Sequence, residues 1–128
     1  MTTSLKPPSE PHPLKSQEEK NILWERRLRM IQKVSDNSQT VALIRNEIRA
    51  HHYTPKQKIE QIHQTIPLMN ESKTLVQCLQ SDQLYQMVKY LAFQLHDMTQ
   101  QLIHSTMTKR DKEKLQTCIN ELLAFKDW

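Results

Sequence analysis

The stretch DQLYQMVKYLAFQLHDMTQQLIHSTM, residues 82–107, decides the fold. Within it, Leu84, Val88, Leu91, Leu95, Met98 and Leu102 recur at alternating steps of four and three residues. That spacing returns each side chain to one side of an α-helix, so the segment reads as a long helix with an apolar stripe. Ser81-Asp82 supplies a break and a cap before it. Tyr85, Ala92, Phe93, His96, Ile103 and Met107 fall on the flanks or the far side, with Phe93 opposite Leu84 and Leu102. A helix that is apolar on two sides is either central in a bundle or offers its second side to a partner. The central position is the simpler expectation.

Working outward, Thr108 caps a last helix over 109–126, whose buried face is Leu115, Cys118, Ile119 and Leu122. On the N-terminal side, residues 68–80 read as a helix with Leu68, Leu75, Val76 and Leu79 apolar. Before it, Thr54-Pro55-Lys56-Gln57 has the spacing of a capping box with proline at the first helical position. The helix it opens carries Ile59, Ile62 and Ile66, and Pro67 is expected to end it. Residues 39–51 form another helix through Val41, Ile44 and Ile48. The first helix starts at Ser16, boxed with Glu19, and carries Leu23, Trp24, Leu28, Ile31 and Val34. Ser35-Asp36-Asn37-Ser38 then interrupts the pattern, because all four side chains compete for backbone hydrogen bonds. The sum is an all-α chain: one domain, residues 16–128, folded as a compact bundle of five or six helices. Met1–Lys15 holds four of the six prolines and is polar, so it is expected to be a disordered tail.

Composition agrees. The chain has 128 residues and no glycine, which removes Gly-rich phosphate loops, dinucleotide fingerprints and the G-x-S-x-G elbow. It also disfavours tight hairpins. Net charge is +4, and the excess lies in the N-terminal half, with 11 Lys/Arg against 7 Asp/Glu in residues 1–66. No apolar run is long enough to span a bilayer, and no secretory signal opens the chain. Cys78 and Cys118 lie far apart on apolar faces and read as reduced core cysteines.

No residues meet the needs of acid–base or nucleophilic catalysis, so an enzyme is not expected. The histidines, His12, His51, His52, His63, His96 and His104, lack the paired spacing of a metal site. Neither metal nor cofactor is expected. The basic cluster is more informative. Arg26, Arg27, Arg29 and Lys33 lie close together, and Arg45 and Arg49 repeat four residues apart. Merged into one face they would bind phosphates, which gives a nucleic-acid reading. Glu18, Glu19 and Glu25 on the same helix count against it, and an acidic protein surface fits as well.

Glycine-free, rich in Gln, His and Thr, and with a Pro-rich tail before capped helices such as Thr54-Pro55-Lys56-Gln57, the chain resembles a known kind of protein. It looks like the small helical accessory proteins encoded beside effectors in Legionella-type intracellular bacteria, among them the antagonist of ubiquitin-modifying deamidase effectors. That resemblance implies a non-enzymatic protein that occupies a partner, with a secretion chaperone as a sibling role.

The expected function is therefore protein binding without catalysis, by covering the working surface of a partner enzyme such as a bacterial effector. Trp24, Tyr85, Tyr90 and Phe93 are the expected anchors, with Arg26, Arg27, Arg45 and Arg49 as rim, because aromatics and arginines dominate binding hot spots. The alternatives are the nucleic-acid binder and a homodimer through residues 82–107. The expected address is cytoplasmic, or the host cytosol if a specialised secretion system exports the chain.

Overall fold

The helices begin where side chains can satisfy the first backbone amides. Ser16 Oγ accepts from Glu19 N at 3.1 Å, while Glu19 Oε1 accepts from Ser16 N at 3.2 Å. Thr54 and Gln57 repeat this box at 3.2 and 2.8 Å. Ser81 Oγ accepts from Leu84 N at 3.4 Å, and Thr108 Oγ1 from Asp111 N at 3.1 Å. The computed structural model describes residues 16–128, so the expected tail lies outside the described residues. Over those residues the chain is all-helical: α1 (Gln17–Ala50), α2 (Pro55–Leu79), α3 (Asp82–Leu102) and α4 (Lys109–Leu123).

Four helices replace the expected five or six, because two expected breaks do not occur. Helix α1 runs straight through Ser35-Asp36-Asn37-Ser38. Asn37 is buried, and its amide points off the helix to donate to Glu71 Oε1 at 2.8 Å and Ser72 Oγ at 3.3 Å on α2. Asp36 accepts from Gln32 Nε2 at 2.8 Å along the helix surface. Val34 and Val41, on either side of the segment, are fully buried, so the apolar stripe continues across it. Helix α2 likewise passes Pro67. A proline inside a helix costs about 3 kcal/mol, whereas burying an Ile or Met side chain returns about 1.5–3 kcal/mol each. Pro67 is exposed while Ile66 and Met69 are buried, so packing on the opposite side holds the helix through the defect. At its far end, α3 stops five residues before the expected Met107. Tighter bonds, Ile103 N to Gln100 O at 3.3 Å and Ser105 N to Leu102 O at 3.0 Å, turn the chain there.

The links between helices are short, so sequential neighbours run antiparallel. Helix α1 packs mainly on α2 and also touches α3. Helix α4 packs on α2 and α3 from the other side, and α1 does not meet α4. Helices α2 and α3 thus share the centre expected for the 82–107 helix alone. The stripe on α3 is buried from Val88 through Leu102, and Ala92 on its second side is buried as well. Asn70 Nδ2 donates to Glu121 Oε1 at 3.2 Å, and Lys114 Nζ meets Glu60 Oε1 at 3.0 Å, tying α4 parallel to α2. The Lys114 ammonium holds the Glu60 carboxyl below its usual range.

Without glycine, the end of α2 is closed by Gln80 in the left-handed region, at φ 54° and ψ 41°. A side chain with a Cβ is disfavoured there by about 1–2 kcal/mol, although glycine loses part of that gain through the unfolded chain. Replacing the exposed Gln80 by glycine should therefore raise stability by about 0.5–1 kcal/mol. Urea unfolding of Gln80→Gly checks this, and a lower midpoint would contradict it.

Candidate partner interface

Helix α1 is the longest element, at 34 residues and about 51 Å, while α2 has 25 residues and spans about 37 Å. The two start level at the Ala50–Pro55 turn, so the surplus of α1 projects beyond its neighbour. Arg27 marks the edge: its Nη2 donates to the Leu79 carbonyl at 2.9 Å, at the last turn of α2. There the guanidinium satisfies an otherwise free carbonyl and faces the negative pole of that helix. N-terminal to it, residues 16–26 form an arm that is exposed throughout, as are Leu28 and Arg29.

The arm is not a polar spacer. Trp24 lies seven residues before Ile31 and continues the stripe that Ile31, Val34 and Val41 turn toward α2. With α2 ended, that stripe has no cover among the described residues. Trp24 is 59% exposed, Leu28 46% and Leu23 39%. On a helical wheel these three occupy one side, with Lys20 and Arg27 beside them. The capping box at Ser16, with Glu18 and Glu19 in the first turn, supports the arm as a helix without tertiary cover.

The other expected anchors lie elsewhere. Tyr90 and Phe93 are exposed on α3, and with Tyr85, Gln86 and Lys89 they line a shallow hollow of about 240 Å³. Tyr85 is half-buried and fastens the end of the chain. Its hydroxyl donates to the Trp128 carbonyl, and the two rings lie 4.7 Å apart. Lys89 Nζ donates to the same carbonyl at 3.2 Å and stands 5.2 Å over the Tyr85 ring. Trp128 also meets the fully buried Phe125 edge-on, so it closes this end of the bundle.

The arginines divide as well. Arg26 is exposed on the arm. Arg45 binds Gln94 on α3, and Gln94 donates to the Tyr90 hydroxyl at 2.8 Å, so Arg45 joins α1 to α3. Arg49 stands on a cleft by the α1–α2 turn, about 37 Å along α1 from Trp24. The structure therefore places Trp24, Arg26 and Arg27 near the N-terminal end of α1, with Arg26 on the side away from Trp24, and Tyr85, Tyr90 and Phe93 on α3. Leu23 and Leu28, which share the helical period of the first helix, are both exposed. Their apolar spacing was visible in the sequence, but the length of α1 beyond α2 was not.

Among the described residues, no three His, Cys, Asp or Glu side chains gather as a metal site, and no helix is long and apolar enough to cross a membrane. Burial holds the His96 imidazole below its usual range, with the Lys126 charge acting in the same direction. Compared with protein-family models, curated proteins and solved structures, the chain matches none.

The cysteines differ, contrary to the expectation that both pack in the core. Cys118 is buried between α4 and its neighbours, and burial pushes its thiol above the ordinary range. Cys78 is exposed near the end of α2, because Val76 and Leu79 take the inward positions there. A thiol reagent at neutral pH should therefore modify one cysteine of the native protein, Cys78, and reach Cys118 only on unfolding. Mass spectrometry of labelled peptides checks this, and equal labelling of both would contradict the packing of α4.

Proposed function

We propose that the protein is a non-catalytic binding protein that covers the working surface of a partner enzyme, inhibiting or chaperoning it. The observation that carries this reading is the uncovered side of the α1 arm, where Leu23, Trp24 and Leu28 stand exposed together. An apolar helix face laid into a groove is a recurrent mode of protein recognition. Each such side chain gains about 1.5–3 kcal/mol when fully buried, and tryptophan is enriched among hot spots. Lys20, Arg26 and Arg29 border or back the arm, so an acidic rim on the partner suits it. The resemblance to effector antagonists points to a bacterial effector enzyme as the partner. The address that goes with this reading is the cytoplasm, or the host cytosol after export by a specialised secretion system.

The other readings have less support. The nucleic-acid reading draws on Arg26, Arg27, Arg29, Lys33, Arg45 and Arg49, but Arg27 and Arg45 hydrogen-bond within the fold. Arg49 lies about 30 Å along α1 from Arg29, so the charges do not make one continuous face. A homodimer through residues 82–107 would rest on Tyr90 and Phe93, since the leucine stripe is buried by the chain's own helices.

Affinity capture with the full chain, followed by identification of the bound enzyme and titration of the purified pair, tests the proposal. The Trp24→Ala and Leu28→Ala exchanges should each weaken binding about tenfold or more, in line with loss of a hot spot. Both residues are exposed, so helicity and melting should hardly change. An enzyme that binds both variants as tightly as the parent would sink the assignment of the arm.

A further inference from the structure

Helices α2 and α4 run parallel, and their first turns lie side by side at the end of the bundle away from the arm. Between them is a polar cleft of about 210 Å³, lined by Lys56 and Glu60 of α2 and by Arg110, Asp111 and Lys114 of α4. It falls below the range of about 300–1,000 Å³ usual for drug-sized ligands, so it suits a ligand of few atoms. Asp111 sets it apart from the other hollows of the surface. At 8% exposed it is the one buried charged residue among the described residues. Its backbone amide donates to Thr108 Oγ1 at 3.1 Å, but its carboxylate has no hydrogen-bond or ion-pair partner among the described residues. A buried acceptor without a donor is costly, and more so when it is charged. The positive pole of α4, in whose first turn Asp111 stands, offsets the charge but gives the carboxylate no donor.

The charges around it are unequally used. Lys114 is taken, since its Nζ meets Glu60 Oε1 at 3.0 Å. Lys56 and Arg110 remain, with no carboxylate partner among the described residues. The first turn of α2 has no acidic residue, so its positive pole adds to them. The cleft thus sets two unpaired cations beside one buried acceptor that lacks a donor. A simple cation would satisfy Asp111 but would meet Lys56, Arg110 and the two helix poles. An oxyanion without a proton would suit the cations but would set a negative oxygen against the carboxylate. An oxyanion that keeps one hydroxyl meets both demands.

We infer that this cleft binds hydrogen phosphate. The P–O–H group donates to the Asp111 carboxylate, and the other oxygens accept from Lys56 Nζ and the Arg110 guanidinium. Sulfate has the same shape and charge but no proton to donate, so Asp111 turns it away. The site shares no residue with the α1 arm, so this inference and the proposed function fail separately.

Isothermal titration calorimetry of the full chain, in a buffer free of other oxyanions, tests the inference with sodium phosphate, sodium sulfate and methyl phosphate. The titrations are run at about pH 8, where a phosphate monoester, with its second pKa of about 6, has lost its last proton. Inorganic phosphate still keeps one there. Phosphate should saturate one site with a dissociation constant of about 1 mM or lower. Sulfate and methyl phosphate should bind at least about tenfold more weakly, as analogues that lack the hydroxyl the site is built to bond. Arg110→Gln, at an exposed position, should weaken phosphate about fivefold or more without changing the melting temperature. Asp111→Asn should bring phosphate and sulfate to near-equal affinity. If that variant fails to fold, the three ligands on the parent chain and the Arg110→Gln titration still decide. Binding that does not saturate, sulfate or methyl phosphate as tight as phosphate, unchanged affinity in Arg110→Gln, or a folded Asp111→Asn that still prefers phosphate would each overturn the inference.

Discussion

Asn37 sits in the seam between α1 and α2 with its amide bonded to Glu71 Oε1 and Ser72 Oγ. The seam also buries Ser38, whose hydroxyl has no partner among the described residues, but an Asn37 amide shifted away from Glu71 and Ser72 would add a second unpartnered group, at about 1–3 kcal/mol. The observed alignment of the two helices avoids that cost for Asn37. A single buried polar side chain serves the same purpose in coiled coils, where it sets register while lending little net stability. Lys33 adds a weak, exposed charge contact to Glu71 at 3.9 Å, and Arg27 locks the far end through the Leu79 carbonyl. With the turn at residues 51–54 closing the near end, the register is held at three heights along the hairpin. The length of α1 that extends past α2 follows from it.

The exposure of Leu23, Trp24 and Leu28 depends on that overhang, and the core depends on the two central helices. Since α2 and α3 contact every other helix, the core is continuous, and α1 and α4 pack on opposite sides of it. The C-terminal residues complete the α3 side. Phe125 is buried, and Lys73 Nζ lies 5.1 Å over its ring and 5.6 Å over that of Trp128. Tyr85 and Lys89 hold the Trp128 carbonyl. Tyr85 therefore packs the bundle together, while Trp24 near the N-terminal end of α1 stands 59% exposed.

Helix starts were legible because a cap is a local event. Ser16, Thr54, Ser81 and Thr108 all act over three residues, and the sequence shows those three residues directly. The stripe on α3 was legible for the same reason, since its period belongs to one helix. Stops were not. Whether Ser35–Ser38 and Pro67 end a helix depends on what the opposite helix offers, and Glu71 lies 34 positions from Asn37. Phe125 could have been found, because it extends the spacing of Cys118 and Leu122 by one more step. The exposure of Leu23, Trp24 and Leu28 could not, because it depends on where another helix ends. The same holds for the internal roles of Arg27 and Arg45, whose acceptors are 52 and 49 positions away.

Helix α1 is one continuous helix, held in a fixed register against α2 and, among the described residues, uncovered before Arg27. Residue-resolved amide hydrogen exchange along α1 tests it directly. Protection should be continuous and high from Ile31 to Ile48, through Asp36 and Asn37. It should fall about 100-fold or more over the arm, where no tertiary contacts among the described residues oppose fraying. A loss of protection at residues 35–38, or an arm protected as strongly as the seam, would contradict the account.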